Sequence, residues 1–549
     1  MSSKNRVTAW VATSLLASSA AFSQGTSYYE NTQYDPLQRK LYFVGRKRPH
    51  TAFRAYNLDE LRPHLDPDSV VYSNVRRKVN SRFKLVNNFF NDDFLSWRSA
   101  DSSIYLAINP MCDFEVGMDK AKDEDVRTWT NSRGFYVNGN IGKNFWFYCD
   151  FSENQAFYAK YYNNLSDSLR VVPGLSNFKK DGWSSRTEVK NDPFDYQTAT
   201  GYVCFKVGPW IDFLVGKTKT FIGDGYRSLL LGDAAVAVPT FRMNVRIFNA
   251  KYSVMATQLK EHKQAVSNNG YRSKYSFTHF LEWNMGRRYT LGVFENVTQA
   301  TWRVNGDHRG IDWEYLNPFT IFRPGEMNAG SPDKMIVGLT SKFVCTDWLT
   351  LYGQVMINEF RLKELVAGNG YWSNKYAFQL GAKAFNLFRA DGLDLQVEYN
   401  QARPFCYSQY AALGCYTHLN QSMAHPLGAN FKEGIIILNY HHGRAAARAQ
   451  VNIAQYGDDY PNDSITYGHN PALASTLKNA TYGVRTLQGL KTDIRYVDVA
   501  GSFVINPKTM MNIAVGLRVR TRKSELTDEM SRNFYVALRW SIKSKYYDY

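Results

Sequence analysis

From about residue 102 to the end of the chain, short runs recur in which apolar and polar residues alternate one by one. That rhythm decides which folds are open to the sequence. In "FWFYCDF", Phe145, Phe147, Cys149 and Phe151 fall on one side, and Trp146, Tyr148 and Asp150 on the other. In "GLDLQVEYNQ", Leu393, Leu395, Val397 and Tyr399 oppose Asp394, Gln396, Glu398 and Asn400. Near the end, Phe534, Val536, Leu538, Trp540 and Ile542 alternate with Tyr535, Ala537, Arg539, Ser541 and Lys543. A period of two with one apolar face is the mark of a β-strand, because successive side chains point to opposite faces.

The connections between these runs differ in length. Gly142-Lys143-Asn144, Gly208-Pro209, Met285-Gly286-Arg287, Thr346-Asp347, Ala390-Asp391-Gly392, His442-Gly443-Arg444 and Asn506-Pro507-Lys508 carry the residues of tight turns. Between them lie long polar stretches, near 152–197, 218–241, 297–334, 402–431 and 457–490. Short turns at one rim and long loops at the other are expected of a transmembrane β-barrel. The alternation gives about sixteen to eighteen strands, wide enough for an aqueous lumen. The expected class is all-β, a transmembrane antiparallel barrel with a short, partly helical N-terminal extension. Aromatics at 15% and a mean hydropathy of −0.42 fit that class, since lipid-facing and lumen-facing residues average out. A large soluble sandwich explains the alternation but neither the aromatic excess nor the one-sided loops.

Lys4 and Arg6 precede an apolar run from Val7 to Phe22 and a small-residue site at Ala21-Phe22-Ser23. This is the layout of a secretory signal, so residues 1–23 are expected to be removed on export. Residues 24–100 read as an N-terminal periplasmic extension, with "NLDELRPHLDPDS" and the basic, aromatic "RKVNSRFKLVNNFFNDDFLSW"; residues 101–549 form the barrel. After the signal, no apolar run approaches the ~18 residues that a spanning helix requires. The expected location is the outer membrane of a Gram-negative bacterium.

The net charge of +17, or +15 once Lys4 and Arg6 are removed, suits anionic lipid or acidic polysaccharide better than nucleic acid in an exported chain. A basic lumen or solvated loops explain the charge equally well. "GKTKTFIGDGYRSLLLGD" imitates a phosphate-binding loop, yet Ile211 stands where the first glycine belongs, so that reading fails. The six cysteines show no metal-binding spacing. Only Cys406 and Cys415 are close enough in one loop to suggest a disulfide. No catalytic motif stands out, so neither an enzyme nor a cofactor nor a metal is expected.

Three blocks and the ending carry a resemblance. They are "FIGDGYRSLLLGDAAVAVPTFR" (Phe221 to Arg242), "YLNPFTIFRPGE" (Tyr315 to Glu326), the pair "VEYNQARPFCYS" and "HLNQSMAHPLGANFKE", and the final "KYYDY". Together they resemble the Wzi-like outer-membrane barrels, within them the Bacteroidetes branch of the gliding-motility protein RemB. "GDAA" at Gly232 to Ala235 departs from the expected Ser-Asp-Asn-Ala. The resemblance implies a non-catalytic barrel that tethers capsular polysaccharide or supports gliding and adhesion; a passive porin or nutrient channel is the alternative, and a barrel enzyme acting on glycans or lipids the third. It also implies outer-membrane lipid as a partner and an aromatic ending, after the last strand, of the kind presented to the barrel assembly machinery. Gly223 and Gly225 permit a fold-back into the barrel mouth. Asp224, Tyr226 and Arg227 then offer an acceptor, a ring and a planar fork to a sugar, with Arg323 and His425 as further contacts. Equally, Arg227 can pair with a lumen carboxylate, and Arg323 and His425 can be loop residues satisfied by the protein.

Overall fold

The computed structural model describes residues 28–29, 49–61, 64, 78–180, 192–266, 270–302, 308–319, 333–541 and 545–549. The signal segment, Arg323 and Ile542 lie outside the described residues.

Eighteen long strands form one closed antiparallel barrel among the described residues. The first six are β1 (Ile104–Lys120), β2 (Asp125–Ile141), β3 (Phe145–Phe157), β4 (Phe194–Val207), β5 (Ile211–Thr218) and β6 (Val238–Ile247). Next come β7 (Ala250–Val266), β8 (Gly270–Met285), β9 (Tyr289–Ala300), β10 (Lys334–Val344), β11 (Leu349–Glu359) and β12 (Lys375–Ala384). The last six are β13 (Leu393–Ala402), β14 (Phe431–His442), β15 (Ala445–Asp458), β16 (Leu490–Asn506), β17 (Met511–Lys523) and β18 (Asp528–Trp540). Each pairs with its neighbour in sequence, and β18 returns to β1, from Asn533↔Asp119 to Trp540↔Cys112. Closure pairs each of the eighteen strands on both sides, which is what a spanning β-structure needs where water cannot satisfy the backbone.

The two faces of the wall separate as the alternation requires. Val116, Val215, Val293, Leu380, Ile436 and Phe534 are exposed outward, while their neighbours Glu115, Leu214, Phe294, Gln379, Ile435 and Tyr535 are buried in the lumen. Trp210, Trp283 and Trp348 are exposed beside the tight turns and mark one membrane interface. This is an outer-membrane barrel. Its short-turn rim is periplasmic and its long-loop rim external by the rule for such barrels. No described helix is long and apolar enough to cross a membrane.

β1 extends past the end of β18, and the spare edge is taken by Leu95–Arg98, which pairs with Tyr105 to Ile108. Just before it lies helix α1 (Lys84–Asn91). Residues 545–549 do not continue β18; they turn back into the lumen, where Lys545 meets Asp113 at 2.8 Å. The aromatic ending is therefore a lumen element rather than the close of the last strand, which corrects the expectation that it is displayed after that strand. None of the six cysteines is in a disulfide, so Cys406 and Cys415 are not bridged. Both thiols are buried, and Cys406 Sγ lies 3.3 Å from the Tyr376 carbonyl oxygen.

Candidate functional site

The loop between β5 and β6, residues 219–237, answers what the glycines are for. Leaving the long-loop rim, it drops into the lumen and pairs Phe221–Ile222 with Phe53–Arg54 of the N-terminal segment. Gly223 has φ +139°, and a Cβ there would lie 2.2 Å from Gln354 Nε2. A Cβ on Gly225 would lie 2.5 Å from Glu398 Oε2. Only glycine lets the loop backbone press this close to the wall.

The wall is built to receive it. Gln354, Gln379, Asn400 and Glu433 are direct cross-strand partners on β11 to β14 and form one polar row across the lumen. Gln354 Nε2 donates to Ile222 O at 2.9 Å and its Oε1 accepts from Leu229 N–H at 2.8 Å. Gln379 Nε2 donates to Arg227 O at 2.8 Å. Glu398 on β13 accepts from the backbone N–H groups of Tyr226 and Arg227 at 2.7 and 3.0 Å. Side-chain amides and carboxylates thus stand in for the sheet that the loop lacks.

Arg227 is the centre of this arrangement. It is 2% exposed and meets Asp548 Oδ2 at 2.9 Å and Glu433 Oε1 at 3.6 Å. Its guanidinium lies over the rings of Tyr226 and Tyr546. Burial alone disfavours its charge, but the Asp548 and Glu433 carboxylates hold its pKa well above the ordinary arginine value. Asp548 also accepts from Tyr226 Oη (3.0 Å), Gln450 (2.6 Å) and Asn452 (2.9 Å). His425 is fully buried; Leu427 N–H donates to its Nδ1 (3.2 Å), so Nε2 carries the proton toward Glu433 (2.8 Å). Burial holds the imidazole below its ordinary pKa and keeps it neutral.

Of the expected ligand contacts, Tyr226, Arg227 and His425 are brought together, but against protein. Asp224, placed at the outer mouth by the sequence reading, instead reaches Thr51 (2.9 Å) and Lys342 (3.3 Å) near the short-turn rim. Asp224, Arg227 and His425 are buried, and each fastens the loop, the tail or the wall to another part of the protein. Tyr226 serves the same network. The departure at Gly232 is also explained: its N–H donates to Met423 O (2.8 Å), and a Cβ would strike Ala424 O at 2.4 Å. The quoted blocks around Phe221, Val397 and His418 and the "KYYDY" ending meet in this plug.

Below the plug, a cavity of about 120 Å³ on the short-turn side is lined by Arg448, Asp498, Ser502, Arg518 and Arg539. Above it, at the long-loop rim, lies a cleft of about 410 Å³. Helix α2 (Lys160–Leu169), the 420–428 and 469–471 stretches and the tail enclose it. Tyr161, Tyr456, Tyr549 and His469 supply rings, and Arg520, Arg522, Asp458 and Glu529 supply charge. Tyr456 and His469 stack at 4.1 Å. Arg522 Nε donates to Tyr456 Oη at 3.0 Å, and its Nη2 lies 3.3 Å from Asp458. Of these rings and charges only Tyr549, in the KYYDY ending, belongs to a motif singled out from sequence, as does the 420–428 stretch beside them. The rings and charges come from α2, four strands or loops and the tail, with no local motif to join them.

Neither protein-family models nor curated proteins match the sequence. Solved structures do. Wzi of Escherichia coli, described as a carbohydrate-binding outer-membrane β-barrel involved in group 1 capsule assembly, aligns with a TM-score of 0.54 at 12% identity, covering 95% of this chain and all of that one. The barrel is similar in fold to Wzi. Pseudomonas aeruginosa OpdL (TM-score 0.41, 8% identity, 79% of this chain and 98% of that one) and OprD (0.40, 9%, 78% and 94%) also align. The likeness to Wzi is one of fold and does not extend to the gliding branch that the motifs suggested.

Proposed function

We propose that this protein is a non-catalytic outer-membrane barrel that holds an acidic or hydroxyl-rich surface polysaccharide at its external cleft. The plugged lumen serves as a rigid scaffold and not as a channel. The observation that carries this reading is the cleft above the Arg227–Asp548 lock. Arg522 and Tyr549 are part-exposed in a depression at the rim that faces outside, with Tyr161, Tyr456 and Arg520 buried in its lining. Rings offer flat apolar area for sugar C–H faces, and guanidinium forks match carboxylates bidentately. The fold likeness to Wzi supports it. A role in gliding or adhesion rests on the motif resemblance alone.

The test is retention of a uronate polysaccharide, alginate, on purified, folded barrels. Charge-assisted bonds are worth about 1.5–3 kcal/mol. Arg522→Ala should therefore weaken retention by roughly ten- to a hundred-fold, with barrel stability nearly unchanged. Tyr456→Ala should lower it as well. Unchanged retention in both variants would remove the cleft as the binding site.

A further inference from the structure

Helix α1 shows an inverted amphipathicity. Phe83, Leu85, Val86, Phe89 and Phe90 fall within one sector of the helical wheel, and Lys84, Asn87, Asn88 and Asn91 in the opposite one. In a water-facing helix the polar sector points out. Here the asparagines are spent on the protein: Asn87 and Asn91 donate to Ser81 O (2.7 Å) and Val79 O (2.8 Å), and Asn88 to Phe94 O (3.0 Å). Asn506, the last residue of β16, donates to the carbonyls of Asn88, Phe89 and Asp92 and so fixes the end of the helix to the barrel. What faces outward is apolar: Phe83 is 65% exposed and Leu85 59%.

The position of α1 says what it faces. Phe89 and Phe94 pack edge-on against Trp540, at 5.2 and 5.8 Å. Trp540 belongs to the outward register of β18, with Phe534 and Val536. Asp93, four residues after Phe89, reaches round the seam to Tyr105 Oη and Asn109. The helix therefore lies at the short-turn rim, against the outward-register ring of Trp540. The chain then enters Leu95–Arg98, where Leu95 pairs with Ile108 and Trp97 with Leu106 of β1. Leu95, Trp97 and Ile108 are exposed, and Trp97 stands at the same rim as Trp210, Trp283 and Trp348. The apolar surface of α1 is continuous with the lipid-facing belt. Lys78, Arg82 and Lys84, all exposed, flank it.

We propose that α1 and Leu95–Arg98 form an interfacial foot that lies in the inner leaflet of the outer membrane. Phe83, Leu85 and Val86 enter the acyl boundary, and Arg82 and Lys84 meet anionic headgroups. Short amphipathic helices with apolar residues on one side and basic residues at the edge bind this way, through buried apolar area plus attraction to anionic lipid.

The experiment places a photoactivatable phenylalanine at Phe83 in the full barrel, reconstituted in nanodiscs of phosphatidylethanolamine with phosphatidylglycerol. The same probe at Phe534 (lipid belt) and at Phe319, which is 93% exposed in a long loop, gives the two limits. Adducts are read by mass spectrometry on heat-modifiable, folded protein. The expected result is a lipid-adduct yield at Phe83 within about two-fold of Phe534 and several-fold above Phe319. Arg82→Glu with Lys84→Glu should reduce it several-fold, as should replacing phosphatidylglycerol with phosphatidylcholine. A Phe319-like yield at position 83, or adducts to another protein in cell envelopes, overturns the foot. A yield indifferent to both charge changes overturns the headgroup contact.

Discussion

The outer and inner faces of the same eighteen strands obey different rules. Outside, Val116, Leu380 and Phe534 need only be apolar, since lipid accepts any such side chain. Inside, Gln354, Gln379, Glu398 and Glu433 each hold named atoms of a loop or tail far away in sequence. One face tolerates any substitution that keeps its class; the other is strict where a buried polar group has few partners and no water to replace them, and looser beside its cavities.

The largest effect should come from breaking the inner lock. Arg227→Ala leaves Asp548 and Glu433 buried with one partner fewer, a loss of about 3–5 kcal/mol by the record of broken buried pairs. Urea-unfolding midpoints followed by heat-modifiable gel shift would report it, and a change below about 1 kcal/mol would show that the lock is ornamental.

The outer face should respond only to a change of class. Val536→Arg puts a charge into lipid and should cost about 2–4 kcal/mol near the midplane. Ser502→Arg, on the lumen side beside the cavity, should cost well under that. Equal losses in refolding yield from vesicles would mean that the two faces are assigned wrongly.

A methyl group is enough to perturb the inner face. Gly225→Ala places a Cβ 2.5 Å from Glu398 Oε2 and should cost about 1–3 kcal/mol as an overpacking change. An unshifted melting temperature would mean that the loop can back away from β13. The smallest expected effect is that of reductant. Cys406 and Cys415 are free, and burial pushes the Cys406 thiol up to about 12. Dithiothreitol should therefore leave stability unchanged, and maleimide should not label Cys406 until the barrel unfolds.

The same contrast explains what could be read from sequence. Outward rows, tight turns and the rim of long loops follow from period two and turn chemistry, which act over a few residues. Gly223 and Gly225 signalled a close approach without naming what they approach. Arg227 was legible as either a sugar donor or a partner of a lumen carboxylate. Deciding needed Asp548, which lies 321 residues away along the chain. The outer cleft was illegible for the same reason: Tyr161, Tyr456 and Arg522 share no local pattern and become neighbours only when β3, β15 and β17 take their places around the ring.

The most direct test of the account is conductance in planar bilayers, because a scaffold and a channel differ there most. The purified barrel should be electrically silent. Removal of residues 545–549, which frees Arg227 and the loop it anchors, should produce discrete openings. Steady porin-like steps from the intact protein would contradict a lumen locked by Arg227 and Asp548.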